Sequence, residues 1–129
     1  MNEGIYYDLG DGAHARYRAL SAEEKTLLAK LLDEDFPGRT ALRQQLTHVR
    51  ARTIDVDGSL ALAPASGARP ADVVRRVPVE AELEDVDGTT IHVLLHVVNG
   101  LIHELEVYRE DSSPVRRPID PDDLRLLVL

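Results

Sequence analysis

The chain has 129 residues, a net charge of −8 and no cysteine. This length is enough for a single domain with its own hydrophobic core, and the lack of cysteine excludes a disulfide framework and a thiol nucleophile. No apolar run approaches the length of a membrane span, and the first residues lack the basic and apolar regions of a signal peptide. We therefore expect a cytoplasmic protein that does not contact a membrane.

The acidic charge is concentrated in one segment. Residues 77–111 contain nine acidic residues and a single basic one, Arg109, whereas residues 39–76 carry a net charge of +4. An acidic surface repels nucleic-acid phosphates and attracts basic proteins. We expect a basic protein partner and no nucleic acid, although acidity that only keeps a small domain soluble explains the charge equally well.

The first part of the chain predicts an arm or edge strand over residues 1–19 and two helices over residues 20–47. Ser21 and Glu24 fit a capping box, which marks a helix start. Leucines 27, 28, 31 and 32 then recur at helical spacing and form one apolar stripe. The Phe36-Pro37-Gly38 sequence ends this helix, and a shorter helix follows at about residues 39–47.

Residues 48–63 predict a β-hairpin around Asp57-Gly58. Its inward side chains are expected to be Val49, Ala51, Leu60 and Leu62. Residues 64–76 have the composition of a surface loop. Residues 112–129 form a C-terminal tail that contains a short helical piece and ends in apolar residues, which must dock or associate.

Residues 77–111 predict a three-stranded antiparallel meander. Asp87-Gly88 and Asn99-Gly100 are the dipeptides typical of two-residue hairpin turns, because both central residues need a positive φ. With two such turns, Leu83 pairs with His92, and His96 pairs with His103. The fold class predicted for the whole chain is α+β, with two helices packed on one face of an antiparallel sheet of about five strands.

This register gives the meander two different faces, because side chains alternate along a strand. The first is apolar with three histidines and carries Val79, Ala81, Leu83, His92, Leu94, His96, Val98, Leu101, His103, Leu105 and Val107. The second has an aliphatic centre between two rows of glutamates and carries Glu80, Glu82, Glu84, Ile91, Val93, Leu95, Val97, Ile102, Glu104, Glu106 and Tyr108. Glutamates are rarely buried without a partner, so we expect the first face in the core. A one-residue bulge at either turn slips a strand and exchanges its faces.

The second face has the layout of a protein interface, with an apolar centre and a charged rim. We predict a partner-binding site made by Glu80, Glu82, Glu84, Ile91, Val93, Leu95, Glu104, Glu106 and Tyr108. Two alternatives remain open. The strip is covered by the arginines of residues 39–52 in the same chain, or by a second copy in a homodimer that uses this strip or residues 126–129.

Two histidines form the best candidate metal pair. His96 and His103 are direct neighbours in the predicted register, with Cβ atoms about 5 Å apart. A zinc site needs at least one further ligand, which must come from the helices, His48 or His14. The alternative is a half-buried pair joined by hydrogen bonds, and we expect no cofactor.

The glutamate rows also allow a general acid/base interpretation. Carboxylates on the two outer strands lie roughly 9–10 Å apart, near the upper limit for an inverting glycosidase. The chain has no tryptophan to line a carbohydrate cleft and none of the common nucleotide, zinc-protease or hydrolase motifs. A non-enzymatic interaction protein is favoured, and the alternative is a small metal-binding protein or hydrolase that uses His96 and His103.

The order of segments resembles a known family. A helix at residues 20–32 is followed by ARTIDVDGSLAL and then by VPVEAELEDVDGTTIHVLLHVVNGLIHELEVYRED. Over residues 17–114 this resembles a family of small bacterial proteins described only as a domain of unknown function, a resemblance that implies no activity and no catalytic residues. In size and charge the chain is also similar to the acidic immunity proteins of bacterial toxin systems, which implies a role as an antitoxin-like neutraliser.

Overall fold

The computed structural model describes residues 17–128. It contains seven strands, two helices and one 3₁₀ turn: β1 (Arg18–Ala19), α1 (Ala22–Leu31), α2 (Arg39–Leu46), β2 (Val49–Thr53), β3 (Leu60–Pro64), β4 (Val79–Glu84), β5 (Thr90–Val98), β6 (Leu101–Arg109), the 3₁₀ turn (Pro121–Asp123) and β7 (Arg125–Val128). The strands form one antiparallel sheet in the order β1-β2-β3-β6-β5-β4-β7. Neither helix in this part of the chain has the length and apolarity needed to cross a bilayer.

The predicted α+β class is confirmed, but the prediction of about five strands is wrong. Two short edge strands complete a sheet of seven. The apolar C-terminal tail docks as β7 along β4, with Val128 opposite Val79. At the other edge, Arg18–Ala19 pairs with β2. Residues 1–16, which include His14, and residue 129 lie outside the described residues.

Local signals place both helices. The capping box of α1 is formed, since the Glu24 amide donates to Ser21 Oγ at 3.1 Å and the Ser21 amide donates to Glu24 Oε1 at 2.9 Å. Leu28, Leu31 and Leu32 are fully buried against the sheet. Gly38 is the N-cap of α2 and has a φ of +90°. A Cβ at this position would lie 2.6 Å from the Val73 side chain, so the position requires glycine.

The β2–β3 hairpin forms where it was predicted and has the predicted inward residues. Val49 pairs with Pro64 and Thr53 with Leu60. All four side chains expected inside, Val49, Ala51, Leu60 and Leu62, are buried. The Asn99-Gly100 turn between β5 and β6 is also correct, with positive φ at both residues and Val98 opposite Leu101.

The turn between β4 and β5 is different from the prediction. The Asp85 amide donates to Thr89 O at 2.8 Å, so the loop contains three residues, 86–88. The Gly88 amide donates to Asp85 O at 3.0 Å and Gly88 has a φ of +85°. This is a type I turn followed by a left-handed glycine, the usual three-residue hairpin loop. The additional loop residue slips β4 along β5, so that Leu83 pairs with Ile91 and not with His92.

A second one-residue shift occurs in β6. Val97 pairs with Ile102, but His96 pairs with Glu104, and His103 is therefore the additional residue of a β-bulge. Consequently the predicted faces of the central strand are wrong. Its inward side chains are Ile91, Val93, Leu95 and Val97, which are at most 4% exposed. The inward predictions for Val79, Ala81, Leu83, Leu105 and Val107 are correct. Those for Val98, Leu101 and His103 are wrong, since the first two are half-buried and His103 is exposed, and Ile102, predicted on the second face, is buried.

Candidate functional site

The helices cover one face of the sheet, and the glutamates lie on the other. Leu27, Leu28 and Leu31 of α1 belong to the same buried cluster as the inward side chains of β4, β5 and β6. We call the opposite side of these three strands the outer face; neither described helix packs on it. Its acidic side chains are Glu80, Glu82, Glu84, Glu104, Glu106 and Glu110, and its other side chains include His92, Leu94, His96 and Tyr108.

The predicted partner site is therefore only partly assembled. Its five glutamates and Tyr108 share one face and are half-buried or exposed. The predicted apolar strip is absent from that face, because Ile91, Val93 and Leu95 are fully buried beneath the helices. The two register shifts account for this difference.

The apolar contacts of the outer face come from two other residues. Leu94 lies directly between Glu80 and Glu106 on the neighbouring strands and is half-buried. Tyr108 is 37% exposed and stacks on His92, its cross-strand partner, with ring centroids 5.0 Å apart and an interplanar angle of 21°. This packing holds the tyrosine ring flat in the middle of an acidic surface.

Positive charge compensates the outer face weakly. Among the described residues, the only arginine paired with one of its glutamates is Arg125, whose Nη2 lies 3.4 Å from Glu82 Oε1, an exposed contact. The pKa of Tyr108 is raised, first because burial disfavours the phenolate and then because Glu106, Glu80 and Glu110 repel it. The three glutamates therefore add to the effect of burial at this tyrosine.

His96 lies at the centre of a polar cluster on the outer face. Its Nε2 is 2.8 Å from Glu106 Oε1, and its Nδ1 accepts a hydrogen bond from Arg76 Nε at 3.3 Å. Because Nδ1 accepts this hydrogen bond, the neutral imidazole carries its proton on Nε2, and Nε2 donates a hydrogen bond to Glu106 Oε1. The bulge places Glu104 opposite His96. His96, Glu104 and Glu106 can each offer one ligand atom, and these atoms lie within 4.8 Å of one another.

The predicted pairing of His96 with His103 is wrong. His103 is the exposed additional residue of the bulge, and Glu104 takes its place across from His96. The sequence interpretation had put both Glu104 and Glu106 on the face away from His96. Only a prediction of the bulge in β6 could have brought these three residues together.

A groove of about 800 Å³ lies beside this cluster, over β2, β3 and β6. Its floor includes the small side chains of Ala61 and Ala63, and Glu104 forms part of its wall. At its far side the Arg52 guanidinium lies 5.7 Å from the centre of the Tyr17 ring, which is a cation–π contact. The groove thus has an acidic end at Glu104 and a basic end at Arg52.

The most unusual buried group is Arg109, which is 1% exposed. Its Nη1 donates to Asp85 Oδ2 at 2.9 Å and its Nη2 donates to Asp87 Oδ2 at 2.9 Å. Its Nε and Nη2 donate to the two carboxylate oxygens of Asp111 at 3.0 and 2.7 Å. Nη2 also reaches Thr89 Oγ1 at 3.1 Å. These bonds fasten the three-residue loop to the end of β6.

The charges of this cluster stabilise one another. Hydrogen bonds from Arg109 lower the pKa values of Asp87 and Asp111 far below the usual range, and the same bonds raise the pKa of Arg109. At Asp85, burial opposes ionisation, but the hydrogen bonds from Arg109 and from the Arg116 and Val86 amides prevail and its pKa is lowered. The cluster is saturated by its own members and we assign it a structural role.

Sequence reasoning missed the burial of Arg109. One signal was present: Arg109 follows Leu105 and Val107 at the two-residue spacing of an inward strand face. A single arginine in that phase, within reach of several aspartates in turns, predicts a buried ion cluster.

Comparison with known proteins supports the resemblance to a domain of unknown function. Residues 17–119 match the family described as "Domain of unknown function (DUF6984)". No curated protein and no solved structure matches the chain. The matched residues include both helices, β1 to β6 and the Arg109 cluster, and the chain belongs to this family.

Proposed function

We propose that the protein is a non-enzymatic interaction module that binds a basic protein through its outer face. The observation that supports this proposal is the distribution of charge. Six glutamates project from one side of three adjacent strands, and within the described residues Arg125 is the single arginine paired with any of them. Uncompensated charge of one sign attracts an oppositely charged partner and accelerates its association.

The same face offers a contact point for affinity. Tyr108 is exposed, held by its stacking on His92 and surrounded by carboxylates. Rigid tyrosines at the centre of an interface often contribute a large share of binding energy. Leu94 adds an apolar surface beside it, so the face combines a small apolar centre with an acidic rim.

The partner that we propose is a basic toxin-like protein, and the role is neutralisation by an immunity or antitoxin-like mechanism. The acidic outer face and the small size of the chain support this role. A glycosidase mechanism has less support, because the chain has no tryptophan to line a carbohydrate site and the groove beside the outer face contains only one of its glutamates, Glu104. Metal binding is favoured by a separate observation, the His96 cluster.

The experiment begins with the tagged protein in a lysate of the source organism at low and at high salt. A retained basic protein is then purified, and its affinity for the untagged chain is measured by calorimetry. The decisive variant is Glu80→Lys with Glu84→Lys, which reverses two charges of the outer face outside the His96 cluster. Its matched control is Asp33→Lys with Glu34→Lys, which makes the same change in net charge at exposed positions after α1.

We expect the outer-face variant to lose at least tenfold in affinity, with a weaker dependence on salt, and the control to stay within about threefold. Equal losses in both variants contradict a localised interface, because only the net charge then matters. If the lysate yields only the protein itself, and this protein is a dimer that the outer-face variant disrupts, the outer face binds a second copy of the chain and not a basic protein. Circular dichroism and thermal melts of each variant exclude misfolding as the cause.

A further inference from the structure

The bulge in β6 brings together three side chains that are typical metal ligands. His96 is on β5, and Glu104 and Glu106 follow the bulge on β6. Without the bulge, His103 occupies the position of Glu104 and the two glutamates point to the core face. β-Bulges are common next to binding sites, where they redirect a side chain. We propose that His96, Glu104 and Glu106 bind one divalent transition-metal ion, of which Zn²⁺ fits the ligand set well.

The distances suit such a site after a small adjustment. One ligand atom of each residue lies within 4.8 Å of the other two, whereas ligand atoms around tetrahedral zinc are separated by about 3.3–3.6 Å when the bonds are 2.0–2.2 Å long. A change of about 1 Å is within the range of side-chain rotation. His96 Nε2 is already 2.8 Å from Glu106 Oε1.

The electrostatics of the cluster also favour a cation. Within residues 17–128, no ion pair involves Glu104, and Glu106 is paired only with His96. His96 has a side chain that is 17% exposed and Glu106 one that is 38% exposed, so the cluster is partly shielded from water. Two carboxylates and one imidazole give a net charge of −2, which a divalent ion neutralises. Imidazole selects zinc and similar metals over Mg²⁺ and Ca²⁺.

Arg76 modulates this site. Its Nε donates to His96 Nδ1, which fixes the proton on Nε2, the atom that faces the carboxylates. A metal on Nε2 requires the proton on Nδ1, and Nδ1 then no longer accepts from Arg76. Since the Arg76 side chain is exposed, it can move away. It nevertheless competes with the metal, both by this hydrogen bond and by its charge.

Three protein ligands leave a coordination position open for water or for another ligand. Glu104 also lines the 800 Å³ groove, so the open position is next to that groove. The site can therefore reach a molecule bound there without rearrangement of the sheet.

The test is calorimetric titration of the untagged, chelator-treated full chain with Zn²⁺, with Mg²⁺ as the comparison ion. We expect one Zn²⁺ per chain with micromolar or tighter affinity, and at least a hundredfold weaker binding of Mg²⁺. His96→Gln and Glu104→Gln are each expected to weaken Zn²⁺ binding at least tenfold. Arg76→Gln is expected to tighten it.

His92→Gln and His103→Gln are the matched controls, because both histidines lie on the same two strands but outside the cluster. Both are expected to bind Zn²⁺ as the unmodified chain does. The proposal is overturned if no stoichiometric Zn²⁺ binds, or if binding survives His96→Gln and is lost in a control variant. This readout needs no protein partner, so the metal site and the proposed interaction function stand or fall separately.

Discussion

Leu94 and Leu95 are adjacent on the central strand and test the register directly. Leu95 is fully buried and pairs with Leu105, whereas Leu94 lies half-buried on the outer face between two glutamates. Truncation of a buried leucine to alanine removes its transfer free energy and leaves a cavity, which costs about 2–5 kcal/mol. Truncation of the half-exposed Leu94 is expected to cost about 1 kcal/mol or less.

Urea unfolding followed by circular dichroism measures both free energies. Small domains of this kind have a total stability of about 5–15 kcal/mol, so Leu95→Ala is expected to move the midpoint by roughly 1–3 M urea with an unchanged slope. Leu94→Ala is expected to shift it only slightly. The two variants remove the same atoms from neighbouring residues, so they differ only in the face on which the side chain lies.

The result that refutes this reasoning is a larger loss in Leu94→Ala than in Leu95→Ala. A two-residue turn at Asp87-Gly88 puts Leu94 inside and Leu95 outside, and it predicts that reversed order. The comparison thus decides whether β5 carries its histidines on the core face or on the face of the glutamates.

Two further predictions concern buried polar groups. The lowered pKa values of Asp87 and Asp111 stabilise the fold at pH values above the ordinary carboxyl range, about 4, and this contribution is lost as the pH falls toward their folded-state pKa. We expect the urea concentration at the unfolding midpoint of the unmodified chain to decrease as the pH falls below about 5. Arg109→Met is expected to be less stable at pH 7, and its urea midpoint should decrease less steeply with falling pH. An equally steep decrease in both proteins argues against the cluster. Gln45 is 4% exposed, donates to Arg69 O at 3.0 Å and accepts from the Ile102 amide at 2.8 Å. Gln45→Leu should cost about 1–3 kcal/mol in urea unfolding, whereas Gln44→Leu at its exposed neighbour should cost little; equal values contradict a role for the amide.

The sequence predicted the features that short-range physics determines. The capping box at Ser21 and the Asn99-Gly100 turn depend on hydrogen bonds and φ values of a few neighbouring residues, and both are formed. The β2–β3 hairpin was also correct, because its alternation of apolar and polar residues agrees with its turn. These features need no information about distant parts of the chain.

The features that were missed depend on distant partners. β7 contains four residues and exists only because β4 offers a free edge. Gln45 lies on the inner side of α2 by helical spacing, but the hydrogen-bond partners of its amide come from the β5–β6 turn and the Arg69 loop. No local pattern in a sequence marks these partners, since they belong to segments far away in the chain.

The errors in the candidate site arise because the register was set from the turn dipeptides. The alternate spacing of aliphatic residues in β5 indicates a different register. The inward set Ile91, Val93, Leu95 and Val97 is wholly aliphatic, whereas the alternative buries His92 and His96. Burial of imidazoles without partners is more costly than one additional residue in a hairpin loop. The hydrophobic phase of the central strand therefore determines the register, and a turn dipeptide indicates only that a hairpin exists.

This origin also explains why the glutamate positions were predicted correctly on a wrong register. Compared with the predicted register, the three-residue loop at Gly88 shifts the pairing of β5 with β4 by one residue. The bulge at His103 shifts the pairing of the following residues of β6 with β5 by one residue. The two shifts of one residue add to a shift of two residues between β4 and β6, and a shift of two residues leaves each side chain on the same face, so Glu80 and Glu106 share a face in either register. The central strand and the residues of β6 that precede the bulge change sides, and that change replaces an apolar strip by His92, Leu94 and His96. The predicted interface thus loses its apolar floor, while the predicted metal pair exchanges His103 for two carboxylates.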